Sequence, residues 1–380
     1  MNFELTEEQS LLKEMVRDFA QKEIAPIAKN MEESKKFPRE LFKKLGELGI
    51  LGTTVPSEYG GTKTDTISFM VALEEISSIS PALAVIVSVH CALFCYAILK
   101  FGNDKQKEKY LPKATKGEIL GAFALTEPGA GSDATNLKTK ATKQDAIYLL
   151  NGTKAWVTSG SEAEASILFA STEIKSGRKK LSAFIVDKNF PGFTVSKIEE
   201  KMGLHSSSTA EITLEDCQVP EENLLGEKGK GANIAFHCLD SSRIGIAAQA
   251  VGLSDRAIRE AVKYAREREA FGKKIADFQA IQFMIADMAT LSEAARLLTY
   301  KAADLKDKGK PFVKEAAMAK LFASEASNKI AYLALQVHGG YGYSKEFFIE
   351  QLYRDARVLC IYEGTSEIQR LVIARHLLKE

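Results

Sequence analysis

Four stretches of the 380-residue chain carry side chains that could do chemistry. Near the C-terminus, Glu363 sits between Tyr362 and Gly364, just ahead of Ile368, Leu371, Val372, Leu377 and Leu378, whose spacing predicts an amphipathic helix. Ser366 with Gln369 three residues on reads as the capping box that opens it. A carboxylate in that turn can face a ligand across the glycine, or be an ordinary solvated loop residue, which for an isolated Glu is the commoner case. The second stretch, Gly129 to Ala134 (GAGSDA), matches GxGxxA formally. A dinucleotide fingerprint needs a helix after it, whereas 135–142 continues as a polar, extended segment. The Rossmann reading is therefore rejected, which leaves a glycine-rich turn. Third, Trp156-Val157-Thr158 follows a strand-like run, where a lone Trp is usually core. Fourth, Asp240 and Arg243 open an Ala-rich helix that puts Ser242, Ile246 and Gln249 on one face at i, i+4 and i+7.

Other chemistries lack their signatures. His90, His205, His237, His338 and His376 form no metal constellation, and none has a Glu three residues before it. The run 226–231 (GEKGKG) lacks the GK[ST] of a phosphate loop, and no GxSxG occurs.

The elements that must position these residues change period twice. The first third is helical, from a capping box at Thr6 and Gln9, through a helix started by Pro38 and ended at Gly49, to about residue 117. The run 82–99 carries no Asp, Glu, Lys or Arg over 18 residues, the minimum for a membrane span. It contains Ser88 and His90, lacks Trp anchors and stands alone, so a buried core helix is the expectation. From about 119 to 220, short β-branched and aromatic segments separated by Gly, Asn, Asp and Pro predict an antiparallel β domain. Its strongest hairpin signal is Asn151-Gly152, between 147–150 and 154–158. Long helices then return over roughly 232–266, 278–308 and 312–337, with short connections that imply an antiparallel bundle. The expected domains are 1–118, 119–225 and 226–380: a mixed α and β fold of helical, β and helical parts.

Totals bound the partners. A net charge of +1 with no basic block argues against nucleic acid and anionic membrane surfaces. Five cysteines inside apolar segments, with no CxxC, suit a reducing compartment. The acidic, amphipathic N-terminus shows no signal peptide, so the cytosol is expected, or the mitochondrial matrix if a transit peptide was removed.

Three of the stretches together resemble the acyl-CoA dehydrogenases: 362–369 (YEGTSEIQ) after Arg354-Asp-Ala-Arg357, the 125–133 loop (LTEPGAGSD), and Trp156-Val-Thr158. The resemblance covers essentially the full length and implies that family's three-part fold. It implies FAD, met by Phe123, Leu125, Thr126, Gly131, Ser132, Trp156 and Thr158, with the Thr158 hydroxyl donating to flavin N5. Arg268, Phe271, Gln279, Gln336, Gly339, Gly340, Thr365 and Glu367 match further FAD positions, and in relatives several of these serve a neighbouring subunit's flavin. A homo-oligomer, a dimer of dimers, is thereby implied. The acyl-CoA thioester falls to Ser132, Asp240, Arg243, Ile246, Gln249, Tyr362 and Gly364, and the base to Glu363. Some members carry the base just before the arginine of the Asp240–Arg243 helix; here that position is Ser242. Gln249 stands where longer-chain members have a small residue, which points to a short acyl group such as butyryl. In relatives the electron acceptor is electron-transferring flavoprotein. A short branched-chain dehydrogenase, a glutaryl-CoA dehydrogenase needing a cation within 82–99, an oxidase, and a non-catalytic acyl-CoA-binding scaffold are the alternatives.

Overall fold

The computed structural model describes residues 4–175 and 178–378. Helices α1 (Glu7–Phe19), α2 (Ala28–Ser34), α3 (Arg39–Glu47), α4 (Thr66–Ser77), α5 (Pro81–Val89), α6 (Tyr96–Phe101) and α7 (Asp104–Thr115) form the first part. Thr6 and Gln9 close the expected capping box on α1. The apolar run is not one regular helix: a π-helical turn, His90–Cys95, separates α5 from α6. It is buried inside the protein, which marks it as a core element. The π turn also aims His90 inward, where Nδ1 accepts the Gly121 N–H at 3.0 Å and ties this helix to the first strand.

Strands β1 (Gly121–Ala124), β2 (Lys140–Gln144), β3 (Ile147–Thr158), β4 (Ala165–Lys175), β5 (Arg178–Asp187), β6 (Phe193–Ile198), β7 (Thr209–Pro220) and β8 (Leu224–Leu225) make one sheet. Its order is β6-β7-β3-β2-β4-β5-β8, largely antiparallel, with β1 joining β4 in parallel. The Asn151-Gly152 hairpin does not exist. The turn lies six residues earlier, at Asp145-Ala146, because Gln144 pairs with Ile147. Asn151-Gly152 instead forms an irregularity inside β3. The Asn151 amide donates to Asp216 on β7 at 2.8 Å, and a side chain at Gly152 would stand 2.6 Å from Thr139 Oγ1. Cross-strand pairing and close approach take the residues that a local turn would have used.

The last part contains α8 (Gly231–Glu267), a small hairpin of β9 (Glu269–Ala270) and β10 (Lys273–Lys274), α9 (Gln279–Asp307), α10 (Val313–His338), α11 (Ile349–Val358) and α12 (Ser366–Leu377). α8 threads the molecule's centre, and from Ser241 to Ser254 it is buried without interruption. It is fastened to the first part by polar bonds, Ser77 Oγ to the Gln249 carbonyl and Gln249 Nε2 to the Pro81 carbonyl, at 2.7 and 2.8 Å. This fixes one wall of the site in register with the 81–101 helix.

Candidate active site

Glu363 lies in the turn between α11 and α12, in the left-handed region at φ 55°, followed by Gly364 at φ 89°. That conformation is costly for a residue with a side chain and needs outside support. Two buried side chains supply it. Lys320 on α10 donates to the Gly364 carbonyl at 2.7 Å, and Gln369 Nε2 donates to the carbonyls of Gly364 (2.9 Å) and Glu363 (3.2 Å). Gln369 is therefore not part of a capping box. The cap of α12 is Thr365, whose hydroxyl accepts from the Ile368 N–H, while Ser366 is the first helical residue. The amide that would have closed the box is spent on the turn ahead.

The Glu363 side chain meets α8. Ser242 Oγ donates to Glu363 Oε2 in a short hydrogen bond. Burial raises the Glu363 carboxyl above its ordinary value; the Ser242 bond and then the Lys320 and Arg243 cations pull it partly back. Tyr362 turns the other way and donates to Gln249 Oε1 at 2.5 Å. A chain of bonds thus runs Tyr362, Gln249, Pro81, across α8 at the Gln249 end of the fully buried Ser242–Ile246–Gln249 face. Arg243 pairs with Asp240 at 2.5 Å, and its Nε is buried without a partner among the described residues.

A second group gathers around β1 and the C-terminal half of β3. The Ala155 N–H donates to the Thr126 carbonyl at 2.9 Å, which sets Thr126 beside Trp156. The core reading of that Trp fails: it is 59% exposed, with φ 57°. Thr158 is half-buried opposite Thr209, Phe123 packs on Phe169, and Leu125 is buried. Ser132 is exposed, and Gly129 and Gly131 have open space where a Cβ would stand. Beneath this loop is a pair that the sequence reading missed. Lys154, fully buried, donates to Glu127 at 2.8 Å and to the Leu125 carbonyl at 3.2 Å. Glu127 also accepts the N–H groups of Lys138 and Thr139. Burial would push the Glu127 carboxyl up, but Lys154 and these donors outweigh it and hold the group low.

A third group stands apart on the surface. Arg268, Gly339 and Gly340 line a groove of about 610 Å³ with Tyr264, His338 and Tyr341, the Arg268 guanidinium lying 5.7 Å from the Tyr341 ring centre. Gln336 is exposed at the end of α10, Gln279 is exposed at the start of α9, Glu367 is exposed and Thr365 half-buried. Phe271, 95% exposed at φ 53°, projects from the small hairpin. Of the residues that reasoning missed, Lys320 left a trace, because it occupies the buried stripe of Ala316, Ala319 and Ala323 on α10. Lys154 left none, since the irregularity in β3 resets the alternation around it.

The three parts match the N-terminal, middle and C-terminal domains of acyl-CoA dehydrogenases over residues 6–118, 122–217 and 229–378. The chain belongs to the acyl-CoA dehydrogenase family, a family of flavoprotein oxidoreductases. It is 50% identical over 376 residues to the mitochondrial short-chain specific acyl-CoA dehydrogenase of Rattus norvegicus, covering 99% of this chain and 91% of the relative. It is also 50% identical over 381 residues to the acryloyl-CoA reductase (NADH) of Anaerotignum propionicum, covering 100% and 96%. The butyryl-CoA dehydrogenase of Megasphaera elsdenii superposes over the whole of both chains with a TM-score of 0.97 at 43% identity.

Proposed function

We propose that this enzyme dehydrogenates a short-chain acyl-CoA of butyryl type to the trans-2-enoyl-CoA, with FAD as cofactor and Glu363 as the base. The observation that carries the reading is the Glu363 turn set against α8, its carboxyl held by Ser242 and its neighbour Tyr362 locked to Gln249. The cradle fits a flavin dinucleotide: open space at Gly129 and Gly131 and an exposed Trp156 at one site, and a groove with Arg268, Gly339 and Gly340 at another. Phe123, Leu125, Thr126, Ser132, Trp156 and Thr158 would hold the ring end. Arg268, Phe271, Gln279, Gln336, Gly339, Gly340, Thr365 and Glu367 would hold the remainder, some across a subunit boundary in a homo-oligomer. FAD, when bound, supplies the acceptor for the β-hydride.

The α C–H of a thioester is a weak acid, so the base must be strong in its setting and the developing enolate must be stabilised. Burial strengthens the Glu363 carboxylate as a base. The Glu363 N–H makes no hydrogen bond among the described residues and can donate to the thioester carbonyl as charge gathers there. Asp240, Arg243 and Ile246 flank the thioester and acyl chain, and the Tyr362–Gln249–Pro81 bonds close the space beyond a short chain. This arrangement disfavours a dicarboxylic acyl group. His90, the one basic side chain within 82–99, is driven down to about 4 by burial and is neutral at physiological pH. The domains are assigned as 1–118, 119–225 and 226–380, and electron-transferring flavoprotein is the proposed acceptor.

The test is a visible spectrum of the purified protein followed by anaerobic titration. Butyryl-CoA should bleach the flavin band, with longer and branched acyl-CoAs acting poorly. Glu363→Gln should retain FAD and bind acyl-CoA but not turn over. A colourless protein that FAD cannot reconstitute, or substantial turnover by Glu363→Gln, would sink the assignment.

A further inference from the structure

The Ser242 hydroxyl has two oxygen partners and one proton. Its Oγ lies against Glu363 Oε2 and, at 3.1 Å, against the Leu239 carbonyl one turn back along α8. A hydroxyl can donate to only one acceptor at a time, but it can accept while it donates. A carboxylate accepts only; a carboxylic acid must also place its own proton. Among the described residues, Ser242 is the one side chain bonded to the Glu363 carboxyl, and it is completely buried.

We infer that Ser242 is a positioning residue that serves Glu363 in both of its protonation states. Before proton abstraction the Ser242 O–H donates to the Glu363 carboxylate. Once Glu363 Oε2 has taken the α proton, the new O–H turns about its C–O bond and donates to Ser242 Oγ, whose own proton turns to the Leu239 carbonyl. The α C–H bond breaks, its proton forms an O–H bond on Glu363 and its electron pair stays on the substrate as the developing enolate; the hydroxyl proton of Ser242 only rotates. No heavy atom needs to move. Without it, a buried acid or carboxylate loses its partner in both states. The inference rests on the reading of Glu363 as the base.

The other groups around Glu363 are committed and do not reverse with it. From α10, the Lys320 ammonium donates to the Gly364 carbonyl; from α8, Arg243 is paired with Asp240, and Cys238 is a thiol whose burial keeps it protonated. From its own turn, Tyr362 is protonated by burial and donates to Gln249. Lys320 and Arg243 favour the carboxylate, as Ser242 does, against the effect of burial. Removing the Ser242 bond takes more from the ionised form than from the neutral one, because a hydrogen bond to a charged acceptor is the stronger. The Glu363 carboxyl therefore rises further.

The experiment is stopped-flow reduction of the flavin by butyryl-CoA, anaerobically and across pH, with the FAD-loaded protein and the variants Ser242→Ala and Ser242→Thr. Ser242→Ala should move the acid limb of the rate up by about one pH unit, equivalent to a roughly tenfold loss of rate below the limb. Ser242→Thr, which restores a hydroxyl, should return the limb towards the parent position. A lost side-chain contact with no electrostatic role would lower the rate without moving the limb. Identical limbs in parent and Ser242→Ala overturn the inference even if Glu363→Gln is inactive. An active Glu363→Gln removes instead the reading on which it rests. Flavin retention in Ser242→Thr shows that the site is folded, so a Ser242→Ala protein that fails to fold leaves the comparison of Thr with parent as the test. A Thr variant whose limb departs by a full unit also counts against the inference.

Discussion

Lys154→Met tests whether the buried pair beneath the flavin loop is what holds that loop. Lys154 is fully buried and Glu127 is 4% exposed, so the substitution leaves a carboxylate in the interior with only the N–H groups of Lys138 and Thr139. Breaking a buried ion pair by removing one partner costs about 3–5 kcal/mol. An independent bound agrees. If the stranded Glu127 escapes by binding a proton at pH 7, bringing it there from an ordinary pKa near ~4.3 costs about 3.7 kcal/mol. With an unfolding entropy of about 2.1 cal/mol/K per residue, a chain of this length loses roughly 5 °C in Tm for that penalty. The sign with pH follows from the pair itself. The Glu127 carboxyl is held below its ordinary value in the folded protein, so its contribution is present above the unfolded pKa and is lost as pH falls through the folded one. In the variant, protonating the stranded Glu127 costs about 1.4 kcal/mol less for each pH unit below 7, so the gap between parent and variant should already narrow on going to pH 4.5. Calorimetry at fixed protein concentration, at about pH 7 and pH 4.5, reads both effects. FAD retention on dilution reads the loosened loop. Adding Glu127→Gln to Lys154→Met should recover part of the loss, because no uncompensated charge remains. A Lys154→Met protein within about 1 °C of the parent at neutral pH, or a double variant showing simple additivity, would refute the reasoning.

Further predictions concern the acyl pocket and the catalytic turn. Gln249→Ala opens the space closed by the Tyr362–Gln249–Pro81 bonds, and should raise kcat/KM for hexanoyl-CoA relative to butyryl-CoA by about tenfold or more; an unchanged ratio places the chain-length limit elsewhere. Lys320→Met removes a cation that favours the Glu363 carboxylate, while Gln369 still holds the Gly364 carbonyl. The acid limb of the butyryl-CoA reduction rate should rise by about one pH unit, with at most a modest fall in Tm from the loss of one of the two supports of the turn. A large fall in Tm with an unmoved limb would make Lys320 a structural residue only. The Glu363→Gln and Ser242→Ala variants complete the set, one removing the base and the other its partner.

Local chemistry made much of this protein legible without its structure. Helix periodicity, the Thr6 capping box, the change of period near residue 119 and the return of long helices near 231 follow from side-chain spacing, which the backbone obeys whatever surrounds it. Glu363, Tyr362, Gly364, Ser242 and Gln249 were visible as residue types, and α8 put three of the pocket positions on one face by helical geometry alone. Tertiary structure decided what local rules could not weigh. Asn151-Gly152 carries a strong turn signal, yet pairing with Asp216 and the approach of Thr139 fold it into a strand. Gln369 has the right spacing for a capping box, yet the carbonyls of Glu363 and Gly364 in the left-handed turn compete for it more strongly. Trp156 has the composition of a core residue, yet its positive φ turns it outward. Lys154 and Glu127, far apart in sequence, become partners because burial leaves each no cheaper neighbour. Side-chain types and spacing set the elements and supplied the reactive groups. Their hydrogen-bond partners, and so the proton affinity of Glu363, depended on contacts that arise only when distant segments exclude water together.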